Sequence, residues 1–301
     1  MQRKAIWTVI AFVLLATLAV AQAQQDYLDV YTVQVKPEKR ADFDAISKKM
    51  VAANRQNKGD TWLAMEAAYG PGDRVTFVST RHSYAEAEEA SGAFYQALQK
   101  AFGKAGSDKA LQDFNQCIIS SHSEFRRRRW DLGSNPPDSP EAMAKLVGEA
   151  RWLRTVVVHV KPGQIASFEA VEKELKTARE KASPPQTVLI SEAVAGQEGT
   201  VFYVTMLQNS LGGFDGLPSF KQMLGDEGYD RFLKANVETI SGTETVINRF
   251  LPDLSNAPEQ VASIAPDYWR PKAAAMNAKA TTKKGVVNAG DKSKMEENAK
   301  Q

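Results

Sequence analysis

Few side chains in the 301 residues group in a way that suggests chemistry. Glu66 and Glu192 lie in β-rich stretches among apolar neighbours, and Arg129 and Arg249 precede Trp130 and Phe250. A carboxylate is unfavourable to bury alone, and a guanidinium fork is its natural partner. Such pairs would either fix strand ends or join His159 in a polar cluster that holds a ligand or moves a proton. His159 is read either as a satisfied core histidine or as a base. Gln34 and Trp62 complete the set of candidate ligand-binding residues. The run Arg126-Arg127-Arg128-Arg129 is read as charge that protects an edge strand from pairing, or as an anion site for carboxylate or phosphate. Alternation along a strand sends two of these arginines to each face.

Other signatures are missing from the sequence. The three histidines lack metal-ligand spacing. Leu211-Gly212-Gly213-Phe214 lacks the Lys-Ser/Thr of a phosphate loop, and there is no Gly-x-Ser-x-Gly elbow. Cys117 is the only cysteine, so no intrachain disulfide forms, and nothing nearby would activate it. A buried, inert thiol is expected. No cofactor and no metal are expected.

The elements that position these residues come in two copies. Val35-Lys36-Pro37 returns as Val160-Lys161-Pro162, and Phe43 returns as Phe168. Thr61, Leu63, Glu66, Ala67 and Gly70 return as Thr187, Leu189, Glu192, Ala193 and Gly196. Ordered matches at a nearly constant step indicate one unit written twice. Each half reads strand, helix, hairpin, broken helix, strand. Gly70-Pro71-Gly72-Asp73 and Gly196-Gln197-Glu198-Gly199 are the hairpin loops. Ser83 and Ser107 are expected to cap the two pieces of the broken helix in the first half. This βαββαβ order is the ferredoxin-like unit, with both helices on one face of a four-stranded antiparallel sheet. The bare sheet faces need cover, and the two sheets are expected to face each other as a closed or nearly closed barrel. Alternation puts Val33, Val35, Val158 and Val160 under the helices and turns Gln34 and His159 to the space between the sheets.

Residues 1–23 read as a signal peptide: Arg3 and Lys4, an apolar run from Ile6 to Val20, then Ala21-Gln22-Ala23. Residues 24–133 and 150–254 are the two halves, 134–149 a proline-rich linker with a short helix, and 255–301 a largely disordered tail, lysine-rich from Lys272, that Tyr268-Trp269 could dock on the body. The expectation is an exported protein, periplasmic or secreted, with no membrane contact after signal removal beyond a loose attraction of the tail to anionic surfaces. Without Arg3 and Lys4 the basic residues equal the 36 acidic ones. That balance argues against nucleic acid as a partner. With both halves in one chain, a monomeric pseudo-dimer binding a small molecule is expected.

From Tyr27 to Leu254 the element order and these matches resemble the dimeric α+β barrel superfamily, nearest to the antibiotic biosynthesis monooxygenase-like domains, fused in tandem. The resemblance implies an α+β fold in which two ferredoxin-like sheets pack face to face. The superfamily includes cofactor-free monooxygenases, haem-degrading enzymes, haem peroxidases and chlorite-decomposing enzymes. The residues of the haem-degrading members do not carry over: Gln34 and His159 stand at the first-strand Asn position, Trp62 is on the second strand, and His82 has no counterpart near Gln208. Haem-peroxidase and chlorite-decomposing members use a helical histidine in the second half, where this chain has only His159, on a strand. The activities that remain are small-molecule binding, cofactor-free oxygenation with His159 as base, or a structural or protein-interaction role.

Overall fold

The computed structural model describes residues 26–184 and 186–271; the stretch expected to be a signal segment and the lysine-rich stretch from residue 272 lie outside them. Eight strands are present among the described residues. They are β1 (Tyr27–Val35), β2 (Leu63–Tyr69), β3 (Arg74–Arg81) and β4 (Ile118–Arg128) in the first half. The second half supplies β5 (Trp152–Val160), β6 (Leu189–Ala195), β7 (Thr200–Gln208) and β8 (Ile240–Phe250). The main helices are α1 (Arg40–Gln56), α2 (Tyr84–Gln116), α3 (Pro140–Glu149), α4 (Ile165–Lys181) and α5 (Phe220–Thr239). Two single turns follow, α6 (Glu259–Ala262) and α7 (Pro266–Trp269).

The strands close into one barrel in the order β1-β3-β2-β8-β5-β7-β6-β4. Each half contributes the ferredoxin-like order, and the two sheets join edge to edge along two antiparallel seams, β2 with β8 and β4 with β6. This is the dimeric α+β barrel architecture completed within one polypeptide. No edge is left for a second chain to cover, because closure pairs every strand on both sides. The edge-strand reading of the Arg126–Arg129 run is therefore corrected: β4 pairs with β1 on one side and β6 on the other.

The repeated sequence blocks have repeated structural jobs. The amide of Lys36 donates to the Cys117 carbonyl and its Nζ to the Gln116 carbonyl at 2.8 Å. Lys161 does the same at the end of α5, with Thr239 and Val237. Each lysine thus satisfies orphan carbonyls at a helix C-terminus, where the dipole favours a cation. Phe43 and Phe168 are fully packed under their helices with the valines of β1 and β5. The long helix of each half breaks at a glycine with positive φ, Gly103 in α2 and Gly225 in α5. Ser83 caps α2 by accepting from the Glu86 amide. Ser107 does not cap the second piece, since that piece starts just after Gly103; its hydroxyl donates to the Lys104 carbonyl.

The connection between the halves does more than link them. Ser134 forms a bridge to Val188, and α3 closes one end of the barrel together with α6 and α7. Residues 255–271, expected in the tail, are packed against the body. Trp269 is fully buried, edge-on to Phe250, and its indole N–H donates to the Gly148 carbonyl at 2.9 Å.

Candidate functional site

The inward residues of an eight-stranded barrel either fill it or leave room for one small ligand. Here many are small or β-branched, including Thr32, Thr76, Thr155, Val157, Thr205 and Val246, and they leave a cavity of about 1050 Å³. At the end where β1 and β5 finish, the lining is polar and half-buried to exposed: Gln34, Arg74, His122, His159 and Glu244. The opposite end is closed in part by Met143 and Val147 of α3 and Val261 of α6.

Gln34 and His159 face this cavity, as alternation along β1 and β5 requires. Gln34 donates from Nε2 to the Gly72 carbonyl at 2.7 Å, across to the first hairpin. Trp62 borders the cavity but belongs to the core under α1 and α2, where its indole N–H donates to the Leu254 carbonyl at 2.8 Å. Glu66, Arg129, Glu192 and Arg249 do not line the cavity; of the two readings, the Glu–Arg pairs form and the cluster with His159 does not. They are on the outer side of the barrel wall and bind the two seams. Glu66 pairs with Arg249 across β2–β8 at 2.6 Å and with Arg40 of α1 at 2.8 Å. Glu192 accepts from Arg127 at 2.8 Å and Arg129 at 3.1 Å across β4–β6. Burial alone would raise the Glu66 carboxyl, but its two arginines hold it below the ordinary range. Arg129 is bonded to Asp131, Glu169 and Glu192, and Asp131 above all keeps it firmly protonated.

The main polar cluster in the cavity is centred on β4; Arg126 was noted in its arginine run, but Glu124 was not singled out from sequence. Glu124, 7% exposed, accepts from Arg126 Nε at 2.7 Å, Tyr203 Oη at 2.5 Å and Gln197 Nε2 at 2.8 Å. His122 Nε2 lies 3.3 Å from the same carboxylate. The Arg126 guanidinium lies over the Tyr203 ring, 3.4 Å from its centroid. Burial pushes Glu124 up, yet Arg126, Tyr203 and Gln197 outweigh it and hold the carboxyl below the usual range. Burial also pushes the Tyr203 phenol up, so it stays protonated as a donor. A carboxylate with three donors is a fixed anion, and such a network rigidifies its wall of the cavity. The signal was present in the sequence: Ser120, His122, Glu124, Arg126 and Arg128 occupy one face of a single strand, a polar stripe that points inward only in a barrel with a wet interior.

Among the described residues no group of His, Cys, Asp or Glu is arranged to hold a metal ion. No histidine is on a helix; His122 is on β4, His159 on β5, and His82 follows β3 beside Asp26.

No protein-family model and no curated protein matches the chain. Solved structures are similar in shape. A proposed monooxygenase from Fusobacterium nucleatum shares 13% identity at a TM-score of 0.49, over 76% of this chain and 94% of that one. A proposed monooxygenase from Lactobacillus acidophilus shares 8% at 0.45, over 75% and 94%. A heme-binding protein from Thermus thermophilus shares 12% at 0.43, over 77% and 93%. The architecture assigned here rests on the chain's own strand order and not on these likenesses.

Proposed function

We propose that this protein binds a small, largely apolar molecule inside the barrel. The observation that carries the reading is the cavity of about 1050 Å³, just above the range typical of ligand pockets, with a fixed polar cluster on one wall and Leu153, Val157, Val246 and Phe250 across from it. Apolar lining supplies affinity, and a few oriented polar groups supply orientation. Export to the periplasm or beyond belongs to the same proposal, and mass spectrometry of the exported protein should give a mature chain starting near Gln24. The binding test is titration of the protein with N-phenyl-1-naphthylamine, a neutral apolar dye that fluoresces when desolvated. One molecule per chain is expected, with binding lost in Val157→Trp, which fills the cavity from β5. A wild-type protein that does not bind the dye, or a Val157→Trp variant that binds it equally, refutes the proposal.

One observation favours a second reading as a cofactor-free oxygenase. His159 faces the cavity and, among the described residues, its ring has no hydrogen-bond partner, so it is available as a base. Oxygen consumption with quinol-like substrates, lost in His159→Ala, supports this reading; unchanged turnover in that variant removes it.

A further inference from the structure

The positive charges facing the cavity are not equally engaged. Arg126 is bound to Glu124 at 2.7 Å. Arg74 has Glu244 at 3.6 Å. Arg128 faces the cavity from the end of β4 and has no carboxylate within ion-pair distance among the described residues. Asp26 and Asp138 also border the cavity, but Asp26 is bonded to His82 at 2.9 Å and Asp138 is exposed. The Trp130 ring is 5.3 Å from the Arg128 guanidinium. Arg128 is half-buried, and burial lowers its pKa, with Asp26 opposing. A guanidinium always carries its proton in proteins, so Arg128 presents a standing positive charge to the cavity.

We propose that Arg128 anchors the acid group of a monoanionic aromatic ligand, with Trp130 alongside and the ring system lying toward Val157 of β5 and Val246 of β8. This rests on the cavity binding reading above and adds the chemical class. Arg128 has no carboxylate in ion-pair contact, and its planar fork matches a carboxylate. Val157 and Val246 provide the apolar surface across the cavity. The equivalent stretch of β8 has no arginine facing inward, so the anchor is on one side only.

The test uses the pair 2-naphthoate and 2-naphthamide, alike in shape and different in charge, titrated calorimetrically into wild type, Arg128→Met and Arg128→Gln. Wild type is expected to prefer the acid by at least about tenfold, the scale of a charge-assisted hydrogen bond. Both variants should lose that preference and keep the affinity for the amide. Because Arg128 has no ion-pair partner to orphan, the variants should stay folded, and thermal melts of each confirm it. Equal binding of acid and amide by wild type overturns the proposal, as does a preference that survives in both variants. If the neutral dye binds but neither naphthalene does, the acid-ligand inference fails and cavity binding stands. If the dye does not bind either, both fail.

Discussion

The Glu124–Arg126 pair should show strong energetic coupling. The Glu124 side chain is 6% exposed and that of Arg126 17%, with 2.7 Å between them. Glu124→Gln keeps the shape and removes the charge, which leaves the Arg126 guanidinium facing the cavity without its counter-ion. Removing one member of a buried pair costs about 3–5 kcal/mol, and partial access of Arg126 to the cavity places this case nearer ~2–3 kcal/mol. Arg126→Met leaves the carboxylate with Tyr203 and Gln197 as donors, at a cost of about 1.5–3 kcal/mol for the lost charged hydrogen bond. The double variant removes both charges and should be less destabilised than the sum, by a coupling of at least ~1 kcal/mol. Urea denaturation of the four proteins measures this. Acidity provides an independent check. Glu124 titrates below an ordinary glutamate near 4.5, so its contribution is complete above that value and is lost as pH falls through the lower folded value. Wild type should therefore lose stability below about pH 4.5 more steeply than Glu124→Gln. Additive single-variant effects, or identical acid limbs, refute the assignment of Glu124 as a charge held by its neighbours.

Two further variants examine how the barrel is closed. Trp269→Ala deletes a fully buried ring and one of two donors to the Gly148 carbonyl, which keeps Arg151 Nη1, and should cost about 3–5 kcal/mol in denaturant unfolding; a loss under 1 kcal/mol would mean residues 255–271 are dispensable. Gly196 has φ +89°, and a Cβ there would collide with the Ser123 carbonyl across the β4–β6 seam, whereas Gly199 has φ +70° and open space around it. Gly196→Ala should then cost on the order of 2–3 kcal/mol and clearly more than Gly199→Ala; equal effects would show that backbone strain alone accounts for both.

Much of the fold could be read from the chain because its determinants are local or repeated. The order of elements, the hairpin glycines and the Val-Lys-Pro blocks all sit within short windows, and period-two alternation placed Gln34 and His159 inward. The seams were different. Nothing local says that β2 will lie beside β8 or β4 beside β6, so the outer partners of Glu66 and Glu192 were identifiable as arginines without the face they share. Trp62 borders the cavity, but its second setting was hidden for a related reason: it precedes β2, and its indole N–H donates to the Leu254 carbonyl, 192 residues away. The Arg126–Arg129 run was visible, and alternation divided it correctly, but Glu124 was passed over because its three donors come from β4, the second hairpin and β7. Such a constellation exists only once the barrel has closed.

Covalent fusion also frees the copies from having to match. A barrel made of two identical chains must present every wall residue twice, so an unsymmetrical guest has two equivalent poses. Here β4 offers Glu124, Arg126 and Arg128 where β8 offers Glu244, Val246 and Asn248. Any guest of this cavity would meet two different walls and have a single pose, and each copy is free to specialise without disturbing its twin.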